Sequence, residues 1–316
     1  MKFFSQNKKV PGWMAVCLKE DGIYAAHIKR MPSARPVVEL HAFFFAEAAS
    51  AGEALERLAK ELQPGRHQCT TLLNTGEYQL LSVDAPNVPP DELKAAIRWR
   101  MKDMIDYHID DATFDVLDVP AEKNATARNH TMYAVAARNQ LIQSRQSLFE
   151  EAKIPLRAID IPEMAQRNIS ILLEPENRGI GLLSFGHDGG LLTITFAGEL
   201  YLSRRLDVTL SQLQNADEEQ KETFYDRITL ELQRSFDHLD RQYHFIALSK
   251  LLLGPSGNAG SGLQQYLAKN LYIPVESLDL DSVVDLSRAP ELKSPDLQQR
   301  YFLTIGAALR HEETAL

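Results

Sequence analysis

The stretch GLLSFGHDGGLLTITFAGELYLSRRL, residues 181–206, decides the reading of the chain. Gly181 to Phe185 is a strand-like apolar run, His187-Asp188-Gly189-Gly190 is a turn, and Leu191 to Phe196 is apolar again. Ala197-Gly198-Glu199 then turns the chain into Leu200 to Leu206. Asp-Gly between apolar runs predicts a hairpin, because glycine takes a positive φ without steric cost. Three strands in a meander therefore open this half. A long helix is expected over 217–243, since Phe224, Ile228, Leu232, Phe236, Leu239 and Tyr243 recur as one apolar stripe. A strand from Phe245 to Leu253, a glycine-rich turn over 254–260 and a helix from Gly262 to Leu271 complete the half.

The same order opens the chain. Trp13 to Leu18 predicts a strand, Glu20-Asp21-Gly22 a turn and Ile23 to Lys29 a second strand. After the Pro-bounded MPSARP comes Val37 to Phe45, then a helix over 51–62 carrying Leu55, Leu58 and Leu62 on one face. Pro64-Gly65 stops it, and Gln68 to Leu73 is another buried strand. The aromatic triplet Phe43-Phe44-Phe45 is expected to be a buried strand end, with one ring left to line a partner groove.

A different module separates the halves. Asp91 is placed to cap a helix after Pro86-Asn87-Val88-Pro89-Pro90, with Leu93, Ile97, Met101, Met104 and Ile105 on its buried face. Strands follow at 113–119 and 131–137 around the polar AEKNATARNH, then a helix over 139–152. The strand Leu156 to Ile161 returns to the first half. The expected organisation is therefore a first lobe over 1–85, an inserted α-β-β-α subdomain over 86–153, a return to that lobe over 154–178, and a second lobe over 179–316. The C-terminal helix is expected to pack back on the first lobe. Two unrelated α/β domains are the alternative.

At 316 residues the chain buries roughly 75% of its unfolded surface and needs no disulfide or metal to hold a core. The net charge of −9 argues against gripping phosphate backbones, so no nucleic-acid partner is expected. Cys17 and Cys69 sit in apolar runs without a ligand-spaced His, which reads as small buried hydrophobes rather than zinc ligands. No apolar run reaches the ~20 residues of a spanning helix. MKFFSQNKKVPGW lacks the apolar core of a signal peptide. A cytoplasmic location is expected, and the Asn-x-Ser/Thr triplets at Asn124, Asn129 and Asn168 then carry no glycan. His311-Glu312-Glu313 lacks the second His of a zinc protease motif, and His108, Asp110 and Asp111 read as a polar loop. Catalytic elbow, Walker-type and dinucleotide-binding signatures do not occur.

The meander–insert–meander order resembles the actin-like fold, with its ribonuclease H-like duplicated lobes. In local wording the chain resembles the PilM family of type IV pilus assembly proteins, and within it the MshI proteins of the mannose-sensitive haemagglutinin (MSHA) pilus. The residues that carry this are Asp91-Glu92-Leu93 through Tyr107 with FDVLDVP, LFEEAKIPLRAIDIPEMAQRNI, the stretch quoted first, ELQRSFDHLDRQY, LLLGPSGNAGSGLQQYLAKNLYIPV and YFLTIGAALR. The resemblance implies an actin-like fold docked at the cytoplasmic face of the inner membrane. There it would hold the cytoplasmic N-terminal tail of a PilN-like membrane protein, with the assembly ATPase or platform protein as further partners. Candidate groove-wall residues are Arg98, Met101, Lys102 and Ile105. Arg98, Arg100 and Lys102 could instead face anionic lipid or water.

Nucleotide-binding members of this fold hold phosphates with one hairpin turn from each lobe, an Asp at each strand end positioning Mg²⁺. Here Cys17-Leu18-Lys19 ends the first strand, and Ser184 replaces the second acid. A thiol is no substitute for a carboxylate at Mg²⁺, a hard cation. Lys19, Gly186, Asp188, Gly189 and Gly190 remain as possible phosphate contacts, with Gly254 and Gly257 under an adenosine. Lys19 reads better as an exposed strand-end lysine, and Asp188 as a turn former. No catalytic residue and no metal site are assigned, no cofactor is expected, and ATP with Mg²⁺ is the one left open. The expected function is a non-catalytic scaffold of MSHA-type pilus biogenesis. Its rivals are an actin-like ATPase of the same machine, a filament former, and a cytoplasmic component of a type II secretion system.

Overall fold

The computed structural model describes residues 10–31, 34–46, 51–120, 131–257 and 260–310. The triplets at Asn124 and Asn129 and the segment His311-Glu312-Glu313 lie outside them. By contact density the chain forms two units, Met1–Leu72 with Phe149–Leu316, and Leu73–Leu148.

Met14 to Cys17 are buried whichever face they point to, the mark of a strand at the middle of a sheet. That strand, β1 (Trp13–Lys19), pairs antiparallel with β2 (Gly22–Met31), and β2 with β3 (Ala34–Phe45). Helix α1 (Ala51–Leu62) buries Ala54, Leu55 and Leu58, and β4 (Gln68–Leu72) returns parallel to β1.

The chain then enters the smaller unit through β5 (Tyr78–Asp84), α2 (Pro90–Met101), β6 (Ala112–Val119), β7 (Thr131–Arg138) and α3 (Asn139–Glu151). Its three strands lie in the order β5-β7-β6, all antiparallel. Val83, Ile97, Met101, Ile105, Val116 and Ala134 form its core. The sequence expectation of α-β-β-α from residue 86 missed β5, which pairs with β7 from Tyr78↔Ala137 to Asp84↔Thr131. That long-range pairing moves the start of the unit to Leu73. Met104, expected on the buried face, is 43% exposed. The helix ends at Met101 and a turn closed by Met104 N–H to Met101 C=O breaks the helical spacing. Arg145 is buried and holds both oxygens of Glu77 at 2.8 and 2.9 Å.

The larger unit resumes with β8 (Leu156–Asp160) and α4 (Pro162–Ser170), then β9 (Gly179–Gly186), β10 (Gly189–Phe196) and β11 (Glu199–Leu206). Next come α5 (Leu210–Asn215), α6 (Glu218–Gln242), β12 (Leu248–Leu253), α7 (Gly260–Asn270), β13 (Val275–Ser277) and α8 (Pro295–Ala308). Asp217 and Gln220 form a capping box that starts α6 where its apolar stripe begins. The unit holds two five-stranded sheets, β3-β2-β1-β4-β8 and β11-β10-β9-β12-β13. Each reads third strand, second, first, then two parallel strands, so the repeat read from sequence is a repeat of topology. The fold is actin-like.

Helices α4 and α8 cross between the sheets. Gly306 lies so close to Ala165 that a Cβ would stand 2.3 Å from the Ala165 carbonyl oxygen. Asn168 donates to the Gly306 carbonyl at 3.0 Å. A single core joins Tyr24, Ala26 and Ile28 of one sheet to Ile180 and Leu182 of the other through these helices. Leu280, Val284 and Leu286 enter the same core, and between them Asp285 bridges the edge of β3 by hydrogen bonds to Pro36 and Val38.

Candidate functional site

Glu20-Asp21 and His187-Asp188 are two-residue loops, set by the pairs Lys19↔Gly22 and Gly186↔Gly189. The register makes Cys17 and Ser184 equivalent, each two residues before its strand's last pair. Cys17 is 2% exposed and belongs to the core. Ser184 is buried, and its hydroxyl donates to Gln166 Oε1 at 3.3 Å. The fully buried Gln166 in turn donates to the carbonyls of Leu182 and Leu191, both at 3.2 Å.

The loops meet: His187 Nε2 lies 3.7 Å from Glu20 Oε1. Half-buried Lys19 donates to the Arg300 carbonyl of α8 at 2.5 Å and sits 4.4 Å from the centre of the Tyr24 ring. Burial pulls the Lys19 pKa below its ordinary value, with Asp21 and Asp188 drawing it back up. Asp188 Oδ2 stands 3.7 Å from Arg205 Nη1, and Arg205 also holds Glu163 at 3.0 Å. Glu163, in the first turn of α4, is only 2% exposed.

Each glycine proposed from sequence faces protein atoms. A Cβ on Gly186 would stand 2.7 Å from Asp188 Oδ1, and one on Gly190 2.9 Å from the Phe185 ring. Gly189 has φ +122°, and a Cβ there would meet the Leu206 carbonyl oxygen at 2.5 Å, so glycine is obligatory. Gly254 packs on Ser184 and Phe302 while its N–H donates to Leu183 at 2.8 Å; Gly257 lies beside Asp296.

Sequence reasoning missed Glu163, Arg205, Glu20 and His187 as members of this cluster. The signal for Glu163 was available: an acid in the first turn of a helix opened by Pro162. Arg205 gave none, since alternation along β11 does not say which acids lie across from it.

The proposed groove wall separates differently. Met101 and Ile105 are buried in the core of the smaller unit and line no groove; their spacing placed them on the helix's inner face. Arg98 pairs with Asp110 and Arg100 donates to the Asp84 carbonyl at 2.7 Å. Lys102 lies 5.8 Å from the Trp99 ring, itself 74% exposed. In the first sheet Phe44 is buried, while Phe43 and Phe45 share the opposite face and are 42% and 65% exposed; Phe43 packs on Tyr24, ring centres 4.8 Å apart.

This arrangement defines a protein of actin-like fold. No family profile matches the sequence, and no curated protein does. Among solved structures, a chain of the PilM–PilN type IV pilus biogenesis complex is similar over 95% of this chain and 98% of its own, with TM-score 0.70 and 18% identity. A Bacteroides thetaiotaomicron protein of actin-like ATPase fold and unknown function is similar over 92% and 98%, with TM-score 0.50 and 12% identity. Among the described residues no helix is long and apolar enough to cross a membrane.

Proposed function

We propose that this chain is a non-catalytic scaffold of type IV pilus assembly that binds the cytoplasmic tail of a PilN-like inner-membrane protein. The carrying observation is that charged groups around the two hairpin tips already have partners within the protein. Lys19 donates to the Arg300 carbonyl, and Asp188 and Glu163 share one guanidinium. A Mg-nucleotide would need carboxylates free to orient hydrated metal and cations free for phosphate. Strand ends bearing Cys17 and Ser184 and acids held by Arg205 fit that group poorly. Likeness to a chain of the PilM–PilN complex over nearly its whole length supports the partner. The MSHA system, with MshI as the counterpart, and a cytoplasmic, membrane-peripheral location belong to the same reading.

Retained nucleotide binding is the second reading, favoured by Asp188, a partly exposed carboxylate in the second hairpin turn. Calorimetry separates the two. We expect no heat from ATP with Mg²⁺ and binding to a peptide of the partner's N-terminal tail; a submicromolar ATP dissociation constant with no tail binding overturns the proposal.

A further inference from the structure

Helix α2 buries one face in the core of the smaller unit through Ile97 and Met101. Its outer face carries Glu92, Ala95, Trp99 and Lys102, all exposed. Positions i, i+3, i+7 and i+10 line up as one stripe along a helix, the spacing of a coiled-coil seam. At 74%, Trp99 is the most exposed large apolar side chain among the described residues.

The cations beside the stripe are engaged inside the unit. Lys94 pairs with Asp115 at 3.1 Å, Arg98 pairs with Asp110, and Arg100 donates to the Asp84 carbonyl at 2.7 Å. The stripe itself holds one acid at its start and one base at its end. That is not the basic face an anionic membrane or an acidic segment would need.

Such a stripe is complementary to its own reverse. Turned end for end about Ile97, it sets Trp99 over Ala95 and Lys102 beside Glu92, and a two-fold axis makes each contact twice. The large ring then falls on the smallest side chain of the stripe, where two helices can approach closely. Opposite charges face each other at both ends, and each helix's acidic first turn lies beside the other's basic last turn. Asp103 stands beyond the helix, which ends at Met101. A parallel pair would oppose Trp99 to Trp99 and like charge to like.

We propose that two copies of this chain pair antiparallel through the outer stripe of α2, the Trp99 ring of each covering Ala95 of the other. Lys102, which lies 5.8 Å from its own Trp99 ring, takes the other copy's Glu92 as its ion-pair partner. A contact this short falls below the roughly 800 Å² per partner of stable interfaces, so the dimer is weak, with a dissociation constant on the order of micromolar or above.

Sedimentation equilibrium of the full chain from about 1 to 300 µM tests it across that weak-affinity range. We expect a concentration-dependent dimer that Trp99→Ala weakens at least about tenfold, with an unchanged thermal melt because Trp99 is exposed. Trp13, the other tryptophan, is buried, so a blue shift of emission with rising concentration reports Trp99. Glu92→Lys and Lys102→Glu should each weaken the dimer about threefold or more. The double variant should restore it, because exchanging both charges rebuilds the pairs only against a copy with the same exchange. A monomer throughout, a dimer that Trp99→Ala leaves intact, or a double variant no tighter than the single ones overturns the proposal. So does a chain that stays monomeric while Trp99→Ala abolishes its binding to another protein or to anionic vesicles.

Discussion

His187 Nε2 stands 3.7 Å from Glu20 Oε1, so the hairpin tips of the two lobes meet. Both side chains are exposed, at 59% and 84%, and water screens the pair. His187→Ala should therefore cost under about 1 kcal/mol in urea unfolding. A loss above about 2 kcal/mol would mean that the tips hold the lobes together far more than exposed charges can.

Arg205 should matter more. Arg205→Met leaves Glu163 buried without its guanidinium, and about 2–3 kcal/mol should be lost, short of the full penalty for a buried charge because Arg205 is 33% exposed. Adding Glu163→Gln should restore most of it. Equal stability of the single and double variants in denaturant titrations would refute the coupling.

Gly306→Ala should lose about 3 kcal/mol or fail to fold, because the new methyl meets backbone of α4 rather than a movable side chain. Far-ultraviolet circular dichroism and a thermal melt read this directly. A variant as stable as the parent would show that the helices can separate at little cost.

Acid should weaken the fold through His67. Burial, helped by the His27 ring 4.6 Å away, lowers its pKa from 6.5 to about 4. A depressed histidine pKa means that the unfolded chain binds the proton first. The stability it contributes is therefore present above about pH 6.5 and lost as pH falls towards 4. His27, also lowered by burial, acts in the same sense. His67→Gln should flatten denaturation midpoints over this window; an unchanged slope contradicts the assignment.

The lobes were legible because their signals are local. Asp-Gly turns, strands bounded by glycine and proline, and the stripe of α6 each reside within a few neighbouring residues, and the order of elements repeats. β5 was not legible, since YQLLSVD becomes a strand only by pairing with β7 more than forty residues later. Helix α4 was quoted but not read as a helix, its surface being buried nearly all round rather than striped. Met101 and Ile105 were read rightly as inner-face residues and wrongly as groove wall, because periodicity shows which side is apolar and not what covers it.

The sequence by itself determined the duplicated plan, the non-acidic strand-end residues Cys17 and Ser184, and the glycine turns, all of which depend on residue identity and near neighbours. Only the tertiary structure decided that Glu163 and Asp188 share Arg205 and that Lys19 ends on α8. Those outcomes follow from elements far apart in the chain arriving together, and a charge acquires its meaning from what stands opposite it in space.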